Sequence, residues 1–246
     1  MLRQLVLFVL LVLTGCLPFL RPAKVPMEVR EFRQGDSAPC LAILLPGRFG
    51  GPESFVRAGF IEKVRDHALA MDVLLVDAHL GYYRERSVVE RLRVDVLEPV
   101  LARDYREIWL VGTSLGGLGT LLYTKGYGED LTGVLALAPF LGEEDLIQEI
   151  EQDGGARAWT PRPGTEEGDF QRLWQWLKAH AASGEGPPLW LGVGQDDDFA
   201  PAVQLLSDLL PPDRSLVVEG GHDWKVWRGL WDDFLRRGIC QGPAAD

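Results

Sequence analysis

The chain is short of long apolar runs, of cysteine and of basic charge, and each shortage narrows what it can be. Its apolar run Leu5 to Leu13 falls short of the roughly 20 residues a helix needs to cross a bilayer. There are 3 cysteines in 246 residues, and no cysteine–histidine group has metal-ligand spacing, so neither a metal nor a cofactor is expected. Lysine and arginine number 25 against 36 aspartates and glutamates, a net charge of -11. That deficit argues against binding nucleic acid or anionic lipid through a basic patch. No internal repeat and no second domain boundary is evident.

What the N-terminal segment does contain is an address. Met1-Leu2-Arg3-Gln4 is a short basic start, the apolar run follows, and Leu13-Thr14-Gly15-Cys16 comes directly after it. This is the layout of a signal peptide. The last four residues resemble the bacterial lipobox, in which the cysteine becomes the first mature residue and carries lipid. The expected organisation is a signal peptide over 1–15, a proline-punctuated tether from the lipid anchor over 16–30, and one domain over 31–246. Leu17, not aspartate, follows Cys16, which points to the periplasmic face of the outer membrane in a bacterial envelope. Cys40 and Cys240 remain, and an oxidising compartment would let them pair, or each is a buried thiol.

From Cys40 onwards apolar runs alternate with helical patterns. Strands are expected at Cys40 to Leu45, Val73 to Val76, Ile108 to Val111, Val134 to Ala138, Leu189 to Val193 and Ser215 to Val218. Helices are expected over Glu53 to Ala70, Ser87 to Arg103 (with Ser87 and Glu90 as a capping box), Leu118 to Tyr123, Asp169 to Ala182, Ala202 to Leu210 and Lys225 to Arg236. Short continuous apolar strands separated by helices imply a mostly parallel sheet covered on both faces, with its ligand site at the carboxyl ends of the strands.

Chemistry-bearing residues fall at those ends. Gly112-Thr113-Ser114-Leu115-Gly116 sits between a strand and a helix, the pattern of a nucleophile elbow that exposes the Ser114 hydroxyl. Gly194-Gln195-Asp196-Asp197 and Gly221-His222 each follow a later strand, giving the chain order serine, acid, histidine. Serine needs a base to take its proton, imidazole titrates near neutrality, and an acid on the other ring nitrogen fixes the tautomer. Of the remaining histidines, His67 and His180 lie inside helical patterns and read as surface residues. His79 follows a strand and either lines the pocket or is a solvated or capping residue.

Through those three motifs the chain resembles the α/β-hydrolases, and within them small bacterial esterases with a Tyr82-Tyr83 segment and a Ser-Leu-Gly-Gly elbow; the resemblance spans about Leu41 to Phe234. It implies the α/β-hydrolase fold with a short cap region. It also implies Ser114, Asp197 and His222 as the catalytic residues, with Asp196 the alternative acid and Asp198 left to cap the helix near Ala200. The oxyanion hole would use the amides of Leu115 and Arg48, although Pro46-Gly47 stands where many relatives have His-Gly.

The cap region, about Phe140 to Pro188, is short and rich in glycine and proline from Gly154 to Gly168. Trp159, Trp174 and Trp176 there suggest an open or shallow apolar site suited to a short acyl ester, although tryptophans at helical spacing more often belong to the core. The expected activity is hydrolysis of a small-molecule carboxylic ester or thioester. Acyl transfer by the same residues, or a non-catalytic envelope scaffold, are the alternatives. A dehalogenase would need a carboxylate where Ser114 stands.

Overall fold

A computed structural model describes residues 21–35, 38–162, 168–237 and 239–240. Cys16 and the signal-peptide segment lie outside these residues. Seven strands form one sheet: β1 Val29–Phe32, β2 Cys40–Leu45, β3 Met71–Val76, β4 Glu107–Thr113, β5 Gly133–Leu137, β6 Leu189–Gly194 and β7 Ser215–Val218, in the order β1-β3-β2-β4-β5-β6-β7. All pairings are parallel except β1 with β3. Every residue of β2 and β3 is buried, as continuous apolar strands in a doubly covered sheet should be. This is the α/β-hydrolase fold.

The chain steps from β2 outward to β3 and then crosses back to β4 on the other side of β2. Right-handed crossovers therefore put successive helices on opposite faces. The helices Pro52–Ala58 and Phe60–Asp66 pack with Trp224–Arg236 on one face. The helical run from Val88 packs with Leu115–Tyr127 on the other. The reversal in strand order lies between β2 and β4, so the crevice for a ligand opens above their carboxyl ends.

Several expected elements differ in detail. The single helix expected over Glu53 to Ala70 is two, broken at Gly59, whose φ of 84° only glycine adopts without strain. The helix expected over Ser87 to Arg103 is Val88–Arg91, a π-helical Leu92–Leu97 and Glu98–Leu101. Pro99 lacks an N–H and its ring clashes with the carbonyl one turn back, which accounts for the widened turn before it. Ser87 does not form the capping box: its Oγ donates to Tyr82 O instead, at 3.4 Å. The helices Leu80–Arg84 and Glu144–Gln152 and the edge strand β1 were not anticipated. β1 also overlaps the expected tether. Residues before it are fastened to the domain, with Ala23 N donating to Glu85, Met27 N to Asp95, and Arg21 paired with Asp77.

Cys40, at the start of β2, is disulfide-bonded to Cys240, 200 residues later. Glu107 lies beside the pair and accepts from Cys240 N at 3.2 Å. The bond ties the C-terminal residues to the amino ends of the central strands, away from the crevice. Among the described residues no helix is long and apolar enough to cross a membrane.

Candidate active site

β4 ends at Thr113, and the helix Leu115–Tyr127 begins two residues on. Ser114, between them, is held at φ 54° and ψ -116°, a conformation rare for a residue with a side chain. The turn tolerates only glycine on either side. A Cβ on Gly112 would lie 2.2 Å from Gly116 O, and one on Gly116 would lie 2.1 Å from Leu45 O. Tyr83 seals the same packing: its buried hydroxyl occupies the space beside Gly119, and burial raises its pKa.

The loops after β6 and β7 are stitched together by Gln195 N to Val218 O at 2.8 Å and Asp196 N to Gly220 O at 2.9 Å. Gly194 sits against the Gly220 backbone, too close for a side chain. This registers Asp197 with His222. Nδ1 of His222 is 2.8 Å and 3.0 Å from the two carboxylate oxygens of Asp197, and its Nε2 is 2.9 Å from Ser114 Oγ. An ionised carboxylate only accepts, so the proton sits on Nδ1 and leaves Nε2 to accept from the serine hydroxyl. The Asp197 side chain is fully buried and the imidazole is about a third exposed. Phe199 and Trp227 hold the ring edge-on, each with centroids 4.8 Å away.

Asp196, the alternative acid, is exposed and contributes its backbone to the loop pairing. Asp198 does not cap the following helix as expected. Asp197 Oδ1 takes the Phe199 N–H at 2.8 Å, so one carboxylate both shapes its own loop and faces His222. His79 is buried and caps the helix Leu80–Arg84 by accepting from Gly81 N at 3.1 Å. Burial, with the Arg21 cation nearby, lowers its pKa. His67 bonds Asp232 and His180 faces Pro187 O, both half-buried and distant in sequence from the strand ends.

Leu115 is the first residue of its helix, where the N–H has no partner one turn back and the helix dipole is positive. Across the crevice, the loop after β2 turns through Gly47 O to Gly50 N at 2.9 Å, with Arg48 and Phe49 at its tip. Gly47 lies against the nucleophile: a Cβ there would be 3.3 Å from Ser114 Cβ. Gly47, which precedes Arg48, and Leu115, which follows the serine, thus both border Ser114.

The cap tryptophans Trp159 and Trp174 do not wall the site. Trp159 and Trp174 are core residues whose indole N–H groups donate to Glu149 and to Leu141 O. The walls are instead Phe140, whose N donates to Ser114 O at 3.2 Å, and Phe199. The two rings meet at 5.5 Å and border a cleft of about 540 Å³ closed by Leu141, Ile147 and Ala202. Glu143, Glu144, Glu151 and Asp198 stand at its rim. The sequence offered one signal for this wall, a Phe directly after Ala-Pro at the end of a core strand.

With that geometry in place, comparison with known proteins is decisive for the family. The model described as "Putative esterase" matches residues 94–237, more than half of the sequence and the part that carries all three residues. The chain belongs to this esterase family. No curated protein matches it in sequence. Among solved structures it is similar to the S-formylglutathione hydrolase FrmB of Staphylococcus aureus, at 14% identity and TM-score 0.59 over 88% of this chain and 97% of that one. It is also similar to Est1E of Butyrivibrio proteoclasticus, at 16% identity and TM-score 0.58 over 89% and 97%. A third is FphF, a fluorophosphonate-binding serine hydrolase of S. aureus, at 14% and 0.57 over 86% and 98%. At such identities these likenesses speak to fold. The family makes the chain a carboxylesterase-like hydrolase.

Proposed function

We propose that this esterase cleaves carboxylic esters through an acyl-enzyme on Ser114. The observation that carries the reading is the 2.9 Å approach of His222 Nε2 to Ser114 Oγ, with Nδ1 held by a buried carboxylate. As Oγ attacks the ester carbonyl carbon, its proton passes to Nε2 and the carbonyl oxygen becomes an oxyanion. The Leu115 and Arg48 amides stabilise that charge. Collapse breaks the bond to the alkoxy oxygen, which takes the proton from His222 and leaves as the alcohol. Water then repeats the sequence and frees the acid. Asp197 keeps the proton on Nδ1 and offsets the imidazolium charge.

The cleft beside Phe140 and Phe199 takes one substituent of the ester. Its volume suits a small acyl or aryl group, and its mouth is lined with carboxylates. The sequence around Cys16 supports a lipid-anchored protein on the periplasmic face of the bacterial outer membrane, acting on a small-molecule ester. Mixing enzyme with a p-nitrophenyl ester, quenching in acid and weighing the intact protein tests the mechanism. A mass increase equal to the acyl group and absent in Ser114→Ala is expected; no adduct with continued turnover would contradict it.

A further inference from the structure

The chain enters the domain at the rim of the active site. Arg21 pairs with Asp77, just past the carboxyl end of β3, and its carbonyl lies over Gly81 at the start of the next helix. Asp77 in turn borders Gly51, in the loop whose Gly47 touches Ser114. A continuous set of contacts therefore runs from Arg21 to the nucleophile. Four residues lie between Cys16 and Arg21, so Cys16 is five residue steps away, a reach of at most about 18 Å for an extended chain.

The surface around that point carries three of the six large apolar side chains exposed among the described residues. Val25 is 66% exposed, Val29 46% and Phe49 72%. Val29 pairs with Val76, which places it at the same strand end, and Phe49 tips the loop beside Ser114. A depression of about 520 Å³ joins Val29 and Phe49 to Arg21, Arg30 and Arg57. Its acids, Glu28, Glu53 and Asp77, match those cations one for one, in a chain whose net charge is -11. Lys24, paired with Glu28, and Arg48, over the Phe49 ring, lie beside it, balanced by Glu85 and Asp95, which accept from Ala23 N and Met27 N. The carboxylates of the site lie across the crevice, on the cleft rim. The edge where the chain begins thus carries exposed apolar side chains without the surplus of negative charge that an anionic bilayer would repel.

We propose that this edge is a membrane-docking face. Val25, Val29 and Phe49 seat in the headgroup region of the bilayer that holds Cys16, and the Ser114 crevice opens along that surface. The substrates it meets are then esters carried at the bilayer surface. The inference rests on lipidation of Cys16. The experiment separates the two.

The full-length lipidated protein is prepared with a nitroxide at Phe49→Cys or, as control, at Arg106→Cys at the opposite end of the sheet. Each is mixed with vesicles of phosphatidylethanolamine and phosphatidylglycerol. Flotation reads the anchor. Power-saturation electron paramagnetic resonance, comparing collisions with oxygen and with a water-soluble nickel chelate, reads the docking. The expected result is flotation of both, with the Phe49 label several-fold more open to oxygen than to nickel and the Arg106 label the reverse. Flotation with a Phe49 label as water-exposed as that at Arg106 overturns the docking face and leaves the anchor standing. Failure to float overturns the anchor and the docking face with it.

Discussion

His222 Nε2 lies 2.9 Å from Ser114 Oγ across 108 residues of sequence. The sheet brings them together because β4 and β7 end on the same edge, and the Asp197 loop between them fixes the ring. Replacing either member removes this base–nucleophile contact. Ser114→Ala and His222→Ala should each cut kcat by about four or more powers of ten with far-ultraviolet circular dichroism unchanged. Steady-state rates on a p-nitrophenyl ester check this.

The three consecutive aspartates make a sharper test. Asp197 is buried against His222 and Asp196 is exposed, so Asp197→Asn should lower kcat about ten-thousand-fold by trapping the wrong tautomer, while Asp196→Asn stays near wild type. Equal losses in both variants would mean the loop, not one carboxylate, is what matters.

Much of this was legible beforehand because it depends on local pattern. Continuous apolar runs gave six of the strands, and Gly112 and Gly116 marked the elbow because no other residue fits there. What escaped depends on tertiary contact. β1 is half exposed and gains its place only by pairing with β3. The helix Glu144–Gln152 buries only Ile147 and Ile150, too few to outweigh its charged residues in a sequence reading. Asp197 displaced Asp198 as the loop's hydrogen-bond acceptor because the same carboxylate is already drawn in by His222. Trp159 and Trp174 left two roles open in sequence, site or core, and their exposure of only 2% and 1% puts them in the core.

The disulfide closes nearly the whole chain into one loop. Cys40→Ala with Cys240→Ala, or reduction, should lower unfolding free energy by about 2–5 kcal/mol, read from denaturant midpoints. Activity at low temperature should persist, since the bond lies at the amino ends of the strands.

His79 should make stability depend on pH. Its pKa is lowered by burial, then by Arg21, and it caps a helix through an unprotonated Nδ1. The unfolded chain binds the proton more readily, so this contribution is intact above the ordinary value of 6.5 and is lost as pH falls through the lower folded value. His79→Asn, which keeps an acceptor without titrating, should flatten the fall in unfolding midpoint between pH 7.5 and about pH 5.5. An unchanged pH profile would place the sensitivity elsewhere.

Phe140→Ala should widen the cleft that Phe140 and Phe199 border. Its kcat/KM should drop about ten-fold for an aryl or longer acyl ester and little for an acetyl ester, measured across a p-nitrophenyl series.

The most direct test is covalent labelling of the folded protein with a fluorophosphonate, which bonds to a serine whose proton a neighbouring base can take. Wild type should label and lose activity in step, with the adduct on Ser114 by peptide mass spectrometry and none in Ser114→Ala. Labelling that persists in Ser114→Ala, or a wild type that turns over esters without labelling, would contradict Ser114 as the nucleophile.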